Sequence, residues 1–257
     1  MASSEEYDVK REVAIANRIL ANLGLATGVT ADRGHASMRL PSDDGRFAVK
    51  GRQYAIDSLS SMRPEDMIIC DTDGFLVDGP DGVVQCAEIK IHSCIYQLRP
   101  DVQSVVHVHP RFTVLLSTLG QKMTPLCQEG MQLVRDPLPV WPHVKIIQSH
   151  DEGMEVANLL GDGSVVLLFA HGAVTAGGSL AESVMAMAEL EEQARMNYLA
   201  LCALGRDYPS IPEELIEEIT GRPPLWELDH FKGVIQEGGL RMSGIWNYHA
   251  AEAARGL

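Results

Sequence analysis

Ser104-Val105-Val106-His107-Val108-His109-Pro110 carries the pattern of a short strand: β-branched residues, two histidines at alternate positions, and a proline that ends the ladder. Successive strand side chains point to opposite faces, so His107 and His109 share one, and two imidazoles so placed can meet one metal ion. Two histidines that merely share a strand would look the same, so the neighbouring segments must decide. Upstream, Cys86 to Leu98 has the spacing of a helix closed by Pro100, with Ile89, His92, Ile95 and Tyr96 on or near one face and Glu88 near its start. Downstream, Val165 to Ala170 is a short apolar run with the length of a buried strand, followed by His171-Gly172 and a glycine-rich turn through Gly178.

Further out, apolar positions from Val9 to Leu23 recur at helical spacing and stop at Gly24. Gly34 to Pro41 and Phe47 to Val49 read as a hairpin around Ser42-Asp43-Asp44-Gly45, and Met67 to Cys70 and Phe75 to Val77 as a second. Ser179-Leu180-Ala181-Glu182 has capping-box spacing and opens a helix to about Leu204. Pro125 to Pro142 reads as loop with one strand or helix embedded. A short acidic helix is expected from about Pro212 to Ile219, before a tail containing Trp226, Trp246 and Tyr248. Without repeats or low-complexity linkers, residues 1–257 read as one domain with a C-terminal extension from about residue 208. Its expected class is α/β of the α+β type, with a largely antiparallel sheet.

Composition narrows the function. The 257 residues carry 35 Asp+Glu against 21 Lys+Arg, a formal net charge of −14, which disfavours nucleic acid and anionic membrane surfaces as partners. No apolar run approaches the ~20 residues of a bilayer span, and residues 1–25 lack a signal peptide's order, so a soluble cytoplasmic protein is expected. Five cysteines without a C-x-x-C pair suit reduced thiols better than a disulfide framework or thiolate zinc site. His171, placed where an apolar strand ends, and Glu88 are the third and fourth candidate ligands. Three neutral nitrogens and a carboxylate suit one divalent first-row ion, with zinc, manganese and iron all open.

The ordered set Glu88-x-x-x-His92, Tyr96, Arg99-Pro100-Asp101-Val102, Val105-Val106-His107-Val108-His109-Pro110, His171-Gly172-Ala173-Val174, Gly177, Glu182 and Glu191-x-x-Ala194 resembles the class II aldolase/adducin family. The resemblance runs from the N-terminal helix to about residue 205. It implies a three-layer α/β/α fold around a mostly antiparallel sheet, in a homo-oligomer, usually a tetramer, with active sites between subunits. It also implies metal ligation by His107, His109 and His171, with Glu88 as metal-linked general acid/base.

Sugar-phosphate aldolases of the family hold phosphate with a Gly-Asn-x-Ser turn, a Thr-Gly pair and a Ser-Ser-Glu segment. Here Gly34-His35-Ala36-Ser37, Lys50-Gly51-Arg52 and Cys86-Ala87-Glu88 stand instead. Most of the hydroxyl and amide donors are missing, and the basic groups in their place are donors suited to a carboxylate or a phenolic oxygen. This pattern resembles the branch that decarboxylates hydroxylated aromatic or 2-hydroxy-3-carboxy-dienoate acids. On that reading Ser37, Lys50, Arg52 and Tyr248 bind a small carboxylate substrate, and either His35 or Glu88 protonates the product. The rivals are an aldolase or epimerase on a hydroxy-acid or sugar, an Fe(II)-dependent oxygenase on the same scaffold, and a non-catalytic adducin-like interaction module.

Overall fold

A computed structural model describes residues 4–26, 33–53, 56–233 and 240–257. In chain order its elements are α1 (Ser4–Asn22), β1 (Gly34–Leu40), β2 (Asp43–Arg52), β3 (Met67–Asp71), β4 (Leu76–Asp78), β5 (Val84–Gln85), α2 (Ile89–Leu98) and β6 (Ser104–Val108). They continue with α3 (Arg111–Thr118), β7 (Val140–Trp141), α4 (His150–Leu160), β8 (Val165–Leu168), β9 (Gly172–Gly177), α5 (Leu180–Leu204), α6 (Glu213–Thr220) and α7 (Leu240–Ala253). The strands form one sheet in the order β4-β3-β2-β1-β6-β9-β8-β7, with β5 paired to β2. Every pairing is antiparallel except β7 with β8.

Alternation along β6 sets the layers. Val106 and Val108 join the apolar cluster that packs the sheet against α1 and α5, through Val13, Ile19, Leu20, Val184, Met187 and Leu190. Val105 joins the opposite cluster, where Ile91, Ile95, Val156 and Leu160 of α2 and α4 cover Phe47, Val49, Val166 and Val174. Burying apolar side chains on both faces stabilises the sheet by about 1.5–3 kcal/mol for each large one. His107 follows the parity of Val105, so it lies on the α2/α4 face. In register it is flanked by His35 of β1 and Val174 of β9. The fold is therefore the three-layer α/β/α arrangement with a mostly antiparallel sheet that the sequence predicts.

Several details differ from the sequence reading. The segment from Gly172 to Gly177 is not a turn but the strand β9, hydrogen-bonded to both β6 and β8. Its small residues have weak strand propensity, and two flanking ladders supply what propensity does not. The first hairpin turns at Pro41-Ser42, pairing Leu40 with Asp43, so β2 is longer than expected. Helices α3 and α4 were not anticipated, and the proline-rich passage contains a short 3-10 turn, Met131–Val134, as well as β7. At the other end α7 returns to α1, with Ala253 in the core beside Trp246 and Ala250. Arg18 ties this return down by donating to the carbonyls of Met62, Ala253 and Arg255. Among the described residues no helix is long and apolar enough to cross a membrane.

Candidate active site

The start of α2 brings Glu88 to the sheet. Glu88 is the residue before the first helical turn, and its side chain makes no capping hydrogen bond to its own helix. Instead Oε1 accepts from the Ile147 backbone at 3.1 Å, just ahead of α4. Ser149 fixes that approach: its Oγ accepts from Glu152 N–H, while the Glu152 carboxylate accepts from the N–H groups of Gln148 and Ser149. The same Ser-x-x-Glu spacing that marks Ser179 marks Ser149, and it is the signal by which α4 could have been found.

The other oxygen of Glu88 meets the histidines. Glu88 Oε2 lies 3.2 Å from His107 Nε2 and 3.5 Å from His171 Nε2, and His109 Nε2 lies 3.2 Å from His107 Nε2. All four ligand atoms fall within 4.8 Å of one another. A tetrahedral zinc-type site with bonds of ~2.0–2.1 Å has ligand atoms roughly 3.3 Å apart, so the separations fit one small divalent ion. The tautomer fits as well, because His107 Nδ1 donates to the Ala173 carbonyl at 3.0 Å and leaves Nε2 with its lone pair toward the cluster. His171 arrives through the β8–β9 bend, where Ala170 adopts a positive φ of 52°. Its Nδ1 is buried without a hydrogen-bond partner among the described residues.

Electrostatics agree with this arrangement. Burial alone would raise the Glu88 carboxyl, but in the ion-free cluster charge and hydrogen bonds from the imidazolium forms of His107 and His171 outweigh it and hold the group well below the usual carboxylate range; a bound cation, with the imidazoles neutral, would stabilise the same carboxylate. Burial, then the charges of His107 and His171, push His109 down to about 3, so it stays neutral and ligand-competent.

A cavity of about 280 Å³ opens onto the cluster, lined by Arg33, Gly34, His35, Lys50, Arg52, Asp57, Cys86, Ala87, Glu88, His109, Ile146 and His171. Lys50 is buried and paired with Asp57. Arg33 and Arg52 are exposed at the cavity and make no ion pair among the described residues. His35, Lys50 and Arg52 thus meet Glu88, His109 and His171 around one space, with His107 behind them.

Two expected substrate ligands lie elsewhere. Ser37 is fully buried under the sheet surface, its Oγ 2.6 Å from His92 Nδ1 and 2.7 Å from the Tyr96 hydroxyl. Tyr248 is 63% exposed on α7, which packs on the α1 side of the sheet, and it does not line the cavity of its own chain. Sequence reasoning missed Arg33 and Asp57. Arg33 adjoins the Gly34-His35 motif and was within reach, whereas Asp57 sits in a loop with no periodic signal.

Residues 11–198 match the Class II Aldolase and Adducin N-terminal domain family. The chain belongs to this family. A 3,4-dihydroxyphthalate decarboxylase from Arthrobacter keyseri is 27% identical, covering 82% of this chain and 85% of that one. A protein of the same name from a Terrabacter species is 29% identical over 81% of this chain and 87% of its own. An aldolase II superfamily protein from Pseudomonas syringae superposes with a TM-score of 0.79 at 24% identity, over 99% of this chain and 95% of that one. Class II aldolase family membership and decarboxylase-named relatives support a lyase.

Proposed function

We propose that the chain is a metal-dependent decarboxylase of a hydroxylated aromatic or hydroxy-dienoate carboxylic acid. The observation that carries this reading is the joining of the Glu88, His107, His109 and His171 cluster to a cavity whose other polar groups are mostly cationic. The names of the relatives point the same way. A divalent cation held by those four side chains supplies positive charge that stabilises negative charge developing on a substrate oxygen, and so lowers the barrier to carbon–carbon cleavage. Arg33 and Arg52 are placed to orient a carboxylate through charge-assisted hydrogen bonds. Lys50, neutralised in part by Asp57, adds a fixed donor at the wall.

Glu88, held ionised, is the proton acceptor of the two candidate groups, Glu88 and His35. In this reading it takes the proton of the substrate hydroxyl. The bond to the leaving carboxylate then breaks, and its electron pair stays on the carbon skeleton as CO2 departs. Glu88 returns the proton to that carbon, and water reprotonates the oxygen on release. The same reading puts the chain in a homo-oligomer, expected to be a tetramer, with Tyr248 of one subunit beside a neighbour's cavity.

The test is to incubate purified protein and Mn²⁺ with hydroxylated aromatic and hydroxy-dienoate acids while following CO2, aldehyde and oxygen. Release of CO2 without oxygen uptake is expected. Aldehyde from a sugar phosphate with no CO2 from any acid would make the chain an aldolase, and stoichiometric oxygen consumption would make it an oxygenase.

A further inference from the structure

A buried polar chain leads from the cavity into the protein. His35 Nδ1 lies 2.6 Å from His92 Nε2, His92 Nδ1 lies 2.6 Å from Ser37 Oγ, and Ser37 Oγ lies 2.7 Å from the Tyr96 hydroxyl. His92 and Ser37 are fully buried and Tyr96 is 3% exposed, so water does not compete for these bonds. Of the four residues only His35 lines the cavity.

The direction of the chain follows from its inner end. Burial raises the Tyr96 phenol, so it keeps its proton. Among the described residues the Tyr96 hydroxyl has no hydrogen-bond partner other than Ser37 Oγ, so its hydrogen has no other acceptor. Ser37 Oγ is then the acceptor for Tyr96. Ser37 must send its own hydrogen onward, and His92 Nδ1 at 2.6 Å is a far better acceptor than the Val105 carbonyl at 3.4 Å. His92 Nδ1 therefore accepts, its hydrogen resides on Nε2, and His35 Nδ1 accepts in turn. That leaves the hydrogen of His35 on Nε2, the nitrogen not engaged by His92.

We propose that His92, with Ser37 and Tyr96, forms a positioning chain that locks His35 as a neutral Nε2–H donor facing the cavity, where it hydrogen-bonds an anionic oxygen of the substrate. The inference rests on the cavity being the substrate site of the reading above. It separates two roles the sequence left open: Glu88 handles the proton, and His35 holds the oxygen. A donor that remains neutral does not repel a neighbouring cation, which an imidazolium would. The arrangement converts a residue beside a cationic site into a donor by tautomer selection instead of by charge.

The direct test is long-range proton–nitrogen NMR of the full chain, ¹⁵N-labelled at histidine and loaded with diamagnetic Zn²⁺, with assignments from H35Q and H92Q. Both His35 and His92 are expected as Nε2–H tautomers. A wild-type His35 protonated on Nδ1, or on both nitrogens at neutral pH, overturns the proposal. Kinetics give a second arm. His92→Phe removes the donor to His35 and is expected to lower kcat by about 10²-fold with little change in KM, whereas His92→Gln offers an amide N–H in its place and recovers most of that loss. Equal activity of the two variants would reduce His92 to packing and sink the positioning role. The tautomer measurement needs no turnover, so it stands or falls separately from the decarboxylation assay.

Discussion

A β-carbon added at Gly172 would lie 2.5 Å from the Val108 carbonyl oxygen, 2.9 Å from His109 Cδ2 and 3.1 Å from His107 Cε1. Val108 is held in the ladder opposite Ala173, so the backbone cannot retreat without breaking the pairing that aligns both histidines. Gly172→Ala is expected to cost about 1–3 kcal/mol of stability and to lower bound metal per chain, read by thermal melting and metal analysis. Wild-type metal content in a folded variant would show that Gly172 does not set the ligand geometry. Glu88→Gln keeps an acceptor for Ile147 N–H while removing the charge, and is expected to lower turnover by roughly 10²–10⁴-fold with the fold retained by circular dichroism. At this scale the sequence exposed the residues that short spacing or strand ends bring together, namely His107, His109, His171 and Glu88. It could not show that His92 touches His35 and Ser37, because that contact crosses from a helix to a sheet and has no period. For the same reason Ser37 looked like a cavity residue from its motif, although strand parity and depth place it beneath His92.

The elements position those residues, and each has its own test. The Ser149 cap fixes the start of α4 and with it the Ile147 N–H that holds Glu88. Ser149→Ala is expected to destabilise the fold by about 1 kcal/mol, visible as a lower urea midpoint at an unchanged m-value. No change would mean that the Glu152 contacts to the Gln148 and Ser149 backbone suffice alone. Helix α1, with its clear apolar stripe, was legible from periodicity, and α5 from the Ser179-x-x-Glu182 spacing at its start. β9 was not, because Gly172, Ala173, Ala176 and Gly177 look like turn residues until their neighbours are known. Small side chains there have a physical reason: a β-carbon at Gly177 would stand 2.9 Å from Glu182 Cβ, so the strand end passes close under the first turn of α5.

Across the whole molecule, the buried histidines couple stability to pH. Burial, then the charge of His107, brings His92 down from 6.5 to about 3, and burial with His92 and His107 drives His35 in the same direction. Below about pH 6.5 the unfolded chain takes up protons that the fold refuses, so stability present at neutral pH is lost as pH falls from 6.5 toward 3. Each such histidine contributes about 1.4 kcal/mol per pH unit inside that window. Urea midpoints measured with chelator from about pH 7.5 to about pH 5 should fall, and His92→Gln should flatten the slope. A slope unchanged by that substitution would assign the acid sensitivity elsewhere.

The net charge of −14 poses a further requirement for an anionic substrate, since the surface as a whole repels it. Within the cavity Lys50 is offset by Asp57, and ionised Glu88 offsets one of the two exposed arginines, Arg33 and Arg52. Without a bound ion the cavity therefore keeps the equivalent of one cation in excess, set in an acidic shell. A divalent ion reverses the sign of the Glu88 and histidine cluster and concentrates the positive field where the acid must sit. Removing it should abolish substrate binding as well as turnover, and Arg52→Ala in the loaded protein should weaken binding by about 1.5–3 kcal/mol, the value of a hydrogen bond to a charged group. Isothermal titration of a slow or inert hydroxy-acid analogue into loaded, chelated and Arg52→Ala protein measures all three. If chelated protein binds the analogue as tightly as loaded protein, the arginines alone provide the field and the ion serves only bond cleavage. If Arg52→Ala binds like the wild type, the exposed guanidinium lies outside the substrate's reach.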